Sequence, residues 1–161
     1  GELGEAAGVL ERAISLMHSV GSREVYQAYF NLGIKHGLAG KNDIALDTLE
    51  TAASYVPSTL LLDKVKIDMS AIVFKYASGR INSSDACEQL QYALSQIRGV
   101  YMPYLRRTLE YNLLVLGDSD EIIEHKLQSR FANRDNVSVY LPVAIRGKSP
   151  LLINPSIHWR Y

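Results

Sequence analysis

The chain has 161 residues, 47% of them hydrophobic and 21% charged, and its seventeen basic and seventeen acidic side chains cancel to a net charge of zero. That balance suits one globular domain with a sizeable core, excludes wholesale disorder, and argues against nucleic-acid binding, which usually leaves a basic excess. Cys87 is the only cysteine, so no internal disulfide can form and a reducing, cytoplasmic setting is expected, and no run of about 18 apolar residues offers a membrane span.

Apolar periodicity predicts seven helices, over 2–19, 23–39, 43–56, 59–78, 83–98, 102–116 and 119–131. Gly21, Gly40, Gly79, Gly99 and Gly117 each follow a periodic stretch, where a left-handed residue can end a helix. Ser22, Asn42, Ser83 and Asp118 are expected N-caps, and Asp118 to Glu121 has the form of a capping box. Pro57 closes a segment, and Pro103 stands where a first helical turn tolerates proline. The connections are short, as antiparallel neighbours require. The sequence shows no signal peptide and no initiating Met, and it is read as a piece of a longer protein, its C-terminal part, whose upstream region is expected to hold any catalytic activity.

After about Phe131 the composition changes. Residues 132–161 hold Pro142, Pro150 and Pro155, with Val137, Val139 and Leu141 alternating against more polar neighbours. An extended tail, in the form of a loose β-hairpin turning near 146–150, is expected there. Its apolar content predicts that it packs on the helices or on a second copy of the chain. The aromatic end, Trp159 and Tyr161, is the expected anchor.

One pattern recurs, Ala-x3-Leu-x2-Ala. It occurs as Ala6/Leu10/Ala13, Ala45/Leu49/Ala52 and Ala86/Leu90/Ala93, at offsets of 39 and 41 residues. On a helix these positions share one face, where alanine admits a close neighbour and leucine fills the remaining gap. A helical face repeating about every 40 residues points to stacked helical hairpins. The triplets fall on the first, third and fifth helices, each the second member of a hairpin, so the first helix lacks its partner in this sequence. The seventh helix carries Ile123, Leu127 and Arg130 at the same places, which suits a terminal repeat with one solvated face.

Residues 26–59 resemble a tetratricopeptide (TPR) repeat. Tyr29, Leu32 and Gly33 match its aromatic-x2-Leu-Gly core; Ala45, Leu49 and Ala52 match its second helix, and Pro57 its closing proline. His36 stands where that family prefers Tyr or Phe. The other units keep less of the pattern, and their period is nearer 40 than the family's 34. The resemblance spans about 130 residues. It implies an all-α, TPR-like solenoid over 1–131, with a groove lined by the first helix of each hairpin that binds a peptide or partner domain without catalysis. The family's groove positions fall on Gln27, Phe30, Ile34 and Gly37. Phe30 and Ile34 replace the polar residues of carboxylate-clamping repeats, so an apolar ligand or the chain's own tail is expected there.

Little else points to chemistry. His18, His36, His125 and His158 lack metal-ligand spacing, and Cys87, beside Ala86 on a packed helix, reads as a structural thiol. Ten tyrosines against three phenylalanines and one tryptophan favour interfaces, because tyrosine joins contact area to a polar tip. Tyr101, Tyr104, Arg106 and Arg107, with Arg98 nearby, form a basic–aromatic cluster able to take a phosphate or an acidic peptide. No enzyme activity, cofactor or metal is expected. The reading is a protein-interaction or scaffold module, with homodimerisation through the tail as one option. A regulatory sensor segment of a signalling NTPase or transcription regulator is the first alternative, and a nucleic-acid-binding helical repeat the second.

Overall fold

The computed structural model describes residues 2–117, and all regular structure among them is helical. Six helices follow in order: α1 (Glu2–Ser19), α2 (Val25–Leu38), α3 (Asn42–Tyr55), α4 (Leu61–Ala77), α5 (Ser83–Gln96) and α6 (Pro103–Gly117). They lie where the first six were expected. The seventh helix over 119–131 and the tail over 132–161 lie outside the described residues.

Glycine sets several helix ends. After α2, Gly40 takes φ +75°, and the chain closes with Lys41 N–H donating to His36 O at 2.9 Å and Gly40 N–H to Gly37 O at 2.9 Å. Only a residue free to enter the left-handed region closes both bonds cheaply. The same pair recurs after α4, where Arg80 N–H meets Lys75 O and Gly79 N–H meets Tyr76 O. Gly117 differs from expectation: it is the last residue of α6, 3.3 Å from Cys87 Sγ as measured from where its Cβ would stand.

The N-termini depart from the expected caps. Asn82, one residue before Ser83, caps α5 by accepting from Asp85 N–H at 2.9 Å. Asn42 is already helical, and Lys41 occupies the cap position of α3 without a side-chain bond. Ser22 accepts from Glu24 N–H at 3.2 Å, just ahead of α2. α4 starts at Leu61, not at 59, because a turn comes first, with Leu60 N–H donating to Pro57 O at 2.9 Å.

The main helix contacts run between chain neighbours, from α1·α2 through to α5·α6, and α2 also touches α4. Among the described residues, apolar clusters fill the seams. Ile14 of α1 packs with Val25, Ala28 and Leu32 of α2. Phe30 and Ile34 of α2 meet Leu46 and Leu49 of α3 and Ile67 and Phe74 of α4. Met69 and Ile72 of α4 meet Leu90 of α5 and Leu105 and Leu109 of α6. Burying each large aliphatic side chain contributes roughly 1.5–3 kcal/mol relative to exposure.

Two of the three repeated triplets lie at the heart of these seams. Ala45, Leu49 and Ala52 are 0% exposed, and Ala86, Leu90 and Ala93 are 4% exposed or less. A Cβ on Gly33 of α2 would stand 2.9 Å from Leu49 and 3.2 Å from the Ala45 carbonyl, so α2 lies directly on the triplet of α3. On α1 the equivalent Ala6, Leu10 and Ala13 are only partly buried, and Val9, Leu16 and Val20 stand exposed beside them.

Candidate functional site

Four places on this scaffold gather side chains with chemistry. The first bridges the N-terminal turns of α2 and α4. Tyr26 Oη donates to Asp63 Oδ2 at 2.9 Å, Gln27 Nε2 donates to Tyr26 Oη at 3.1 Å, and Lys66 Nζ holds the other carboxylate oxygen at 2.9 Å. Burial pushes the Tyr26 phenol above its ordinary value; the Gln27 bond opposes this and Asp63 adds to it. Gln27, expected in the groove, therefore stands at the surface end of a polar network.

The other groove positions on α2 do not face solvent. Phe30 is 8% exposed and Ile34 2% exposed. Both pack in one cluster with Ile67 and Phe74 of α4, and the Phe74 ring lies where a Cβ on Gly37 would project. The sequence reading of Phe30 and Ile34 as ligand contacts is thus corrected: α4 closes over this face of α2 and takes both side chains into the core. Next to this seam, Asn31 Oδ1 is enclosed and accepts no hydrogen bond.

The second place is the junction of α5 and α6, where the basic–aromatic cluster was expected. Arg98 and Arg106 line one cavity of about 290 Å³ with Gln91, Leu94, Ser95 and Ile97. Arg106 Nε also donates to Glu110 Oε1 at 3.0 Å. Tyr104 packs partly against the core, Arg107 is half-buried, and Tyr101 stands 90% exposed ahead of α6. The structure thus joins Arg98 to Arg106 at a cavity whose lining includes neither Tyr101 nor Arg107. Trp159 and Tyr161 lie outside the described residues.

The third is an aromatic trio where α1, α2 and α3 meet. His18 Nε2 and Tyr29 Oη are 3.1 Å apart. The Tyr29 and Tyr55 rings stack with centroids 5.7 Å apart and planes 2° from parallel, and His18 stands edge-on to both. In the sequence Tyr29 belongs to the repeat core, and His18 is only a histidine without metal-ligand spacing. Tyr55, the last residue of α3, completes the trio because the helix carries it one turn past Ala52.

The fourth place was missed in the sequence. Between α4 and α5 runs an open groove of about 410 Å³, floored by Val65, Ala71, Ile72 and Ala93. Its polar lining is Asp68 and Lys75 from α4, and Glu88, Gln89, Tyr92 and Gln96 from α5. Burial raises the Asp68 carboxyl above its ordinary range, while Lys64 and Lys75 oppose the rise. The available signal was an acidic residue set between the apolar Ile67 and Met69.

Cys87 is half-buried rather than fully packed, with Sγ 4.0 Å from the Leu113 carbonyl oxygen. Among the described residues no three His, Cys, Asp or Glu side chains gather at metal-binding range, and no helix is long and apolar enough to cross a membrane. Comparison with known proteins found no matching family model, no matching curated protein and no matching solved structure.

Proposed function

We propose that this chain is a TPR-like helical-hairpin solenoid that serves as a protein-interaction module. The observation that carries the reading is the equivalent burial of two repeated triplets, on α3 and α5, about 40 residues apart. Each forms the floor on which another helix rests, and the first helices of successive hairpins, α2 and α4, also touch. Such stacking leaves long side faces for partners, because each unit is sealed only by its neighbours.

The surface supports the same reading. Tyr92 is 68% and Tyr101 90% exposed, and both belong to the residue type most enriched in interfaces. The partner is a protein or peptide, with homodimerisation as a variant. The test is a peptide-display selection against the immobilised chain, followed by calorimetry on the enriched peptides. One-to-one complexes weakened by Gln27→Ala, Tyr92→Ala or Arg106→Ala are expected. A selection that enriches no sequence, or complexes indifferent to all three substitutions, would sink the reading.

A further inference from the structure

The α4–α5 groove holds a carboxylate whose charge is poorly answered. Asp68 is partly buried, and among the described residues no hydrogen bond or close ion pair meets it, although Lys64 and Lys75 attract it from farther off. Its neighbour Asp63 on the same helix, by contrast, is held by both Tyr26 and Lys66. A carboxylate taken partly out of water without a hydrogen bond is penalised, and the Asp68 pKa is raised because burial outweighs the attraction of Lys64 and Lys75.

The groove is polarised along its length. α4 and α5 are joined by the short turn 78–82 and so run antiparallel. Lys75 and Glu88 therefore lie toward the turn, while Val65, Asp68 and Gln96 lie toward the far end. That end offers one negative charge, an amide oxygen on Gln96, and the Tyr92 side chain, with apolar floor between them. A small anion would meet the wrong charge there. A metal ion would find too few oxygen ligands. A plain apolar side chain would leave Asp68 still less hydrated.

We propose that this groove receives an arginine side chain from the partner, its guanidinium on Asp68 and its methylene stem along Ala71, Ile72 and Ala93 beside Tyr92. Arginine fits better than lysine because its planar head can donate two hydrogen bonds to a carboxylate and also stack on a phenol ring. Its stem is long enough to use the apolar floor while the head stays polar. The proposal rests on the protein-binding reading and names the chemistry its partner would present.

The test is an NMR titration of the full chain, isotopically labelled, with N-acetylarginine amide and, in parallel, the neutral isostere N-acetylcitrulline amide. Saturable shifts confined to residues 65–75 and 88–96 are expected, with at least tenfold tighter binding of the arginine compound. Asp68→Asn should bring arginine down to the citrulline level, and Tyr92→Ala should weaken it severalfold; the same spectra show whether each variant is folded. Equal affinities, an unchanged response in Asp68→Asn, or shifts centred elsewhere would overturn the site. The two readings fail separately. A chain that captures peptides yet treats both amides alike loses the arginine site only. One that binds the arginine compound at Asp68 yet enriches no peptide loses the module and keeps a guanidinium site.

Discussion

The Phe74 ring of α4 occupies the space into which any Cβ at position 37 of α2 would project. Gly37 is therefore a packing residue, where the ring of a non-consecutive helix lies against α2. Phe74 is 4% exposed, so its ring has little room to retreat.

Gly37→Ala should accordingly be destabilising, although alanine is the better helix former by roughly 1 kcal/mol. Overpacking of this kind costs about 1–3 kcal/mol. Urea melts of Gly37→Ala, Phe74→Leu and the double variant form a cycle. The double variant is expected to lose less than the sum of the singles. An unchanged midpoint for Gly37→Ala would show that α2 and α4 are not pressed together here.

The repeated triplets make a paired prediction. Ala45→Leu should cost about 1–3 kcal/mol, because Ala45 is 0% exposed beneath α2. Ala6→Leu, at the equivalent place on partly open α1, should stay within about 0.5 kcal/mol. Denaturant midpoints of the two variants check this, and equal losses would refute the difference in burial.

Asp68→Asn should leave the protein as stable as before, or more so, at pH 7. The folded-state pKa lies above the ordinary value of 3.8, so folding disfavours the ionised form and removing the charge relieves it. The relief should vanish as pH falls below 3.8, where the group is protonated in both states. Thermal melts of both proteins across pH 3–7 test the sign. A loss at pH 7 that persists at pH 3 would mean that the Asp68 carboxyl makes a structural bond.

Tyr111 supplies the alkaline counterpart. It is 0% exposed, and burial pushes its phenol up to about 12 from 10.0. The neutral form is favoured in the fold, so the stability it gives is complete below pH 10 and is lost as pH rises toward 12. Phenolate absorbance and helical ellipticity followed together should show the last tyrosine ionising with loss of helix. A full set of phenolates on intact helices would contradict the burial.

The residues that announced the fold act locally. Gly40 and Gly79 end helices through bonds spanning five residues, and the triplets fix a face within two turns, so six helices were legible from the sequence. What stayed hidden depends on how distant helices meet. Tyr26 and Asp63 are 37 positions apart, and nothing in either segment names the other. Phe30 and Ile34 read as groove walls because their burial depends on Ile67 and Phe74, two helices further along. Asp68 was passed over for the same reason: its surroundings are made half by α5. Asn82 rather than Ser83 caps α5 because an Asn side chain one residue earlier reaches the Asp85 amide, and either type suits the position by composition.

Because the main contacts run between helices adjacent in sequence, a force applied at the two ends would be borne in series, one seam after another. Such a chain lengthens in steps rather than breaking at once. α1, which leaves its own triplet partly open, should peel away first, while the α4–α5–α6 cluster holds longest. The same mostly local wiring favours fast refolding once tension is released, with the α2–α4 seam the one that waits on a more distant segment.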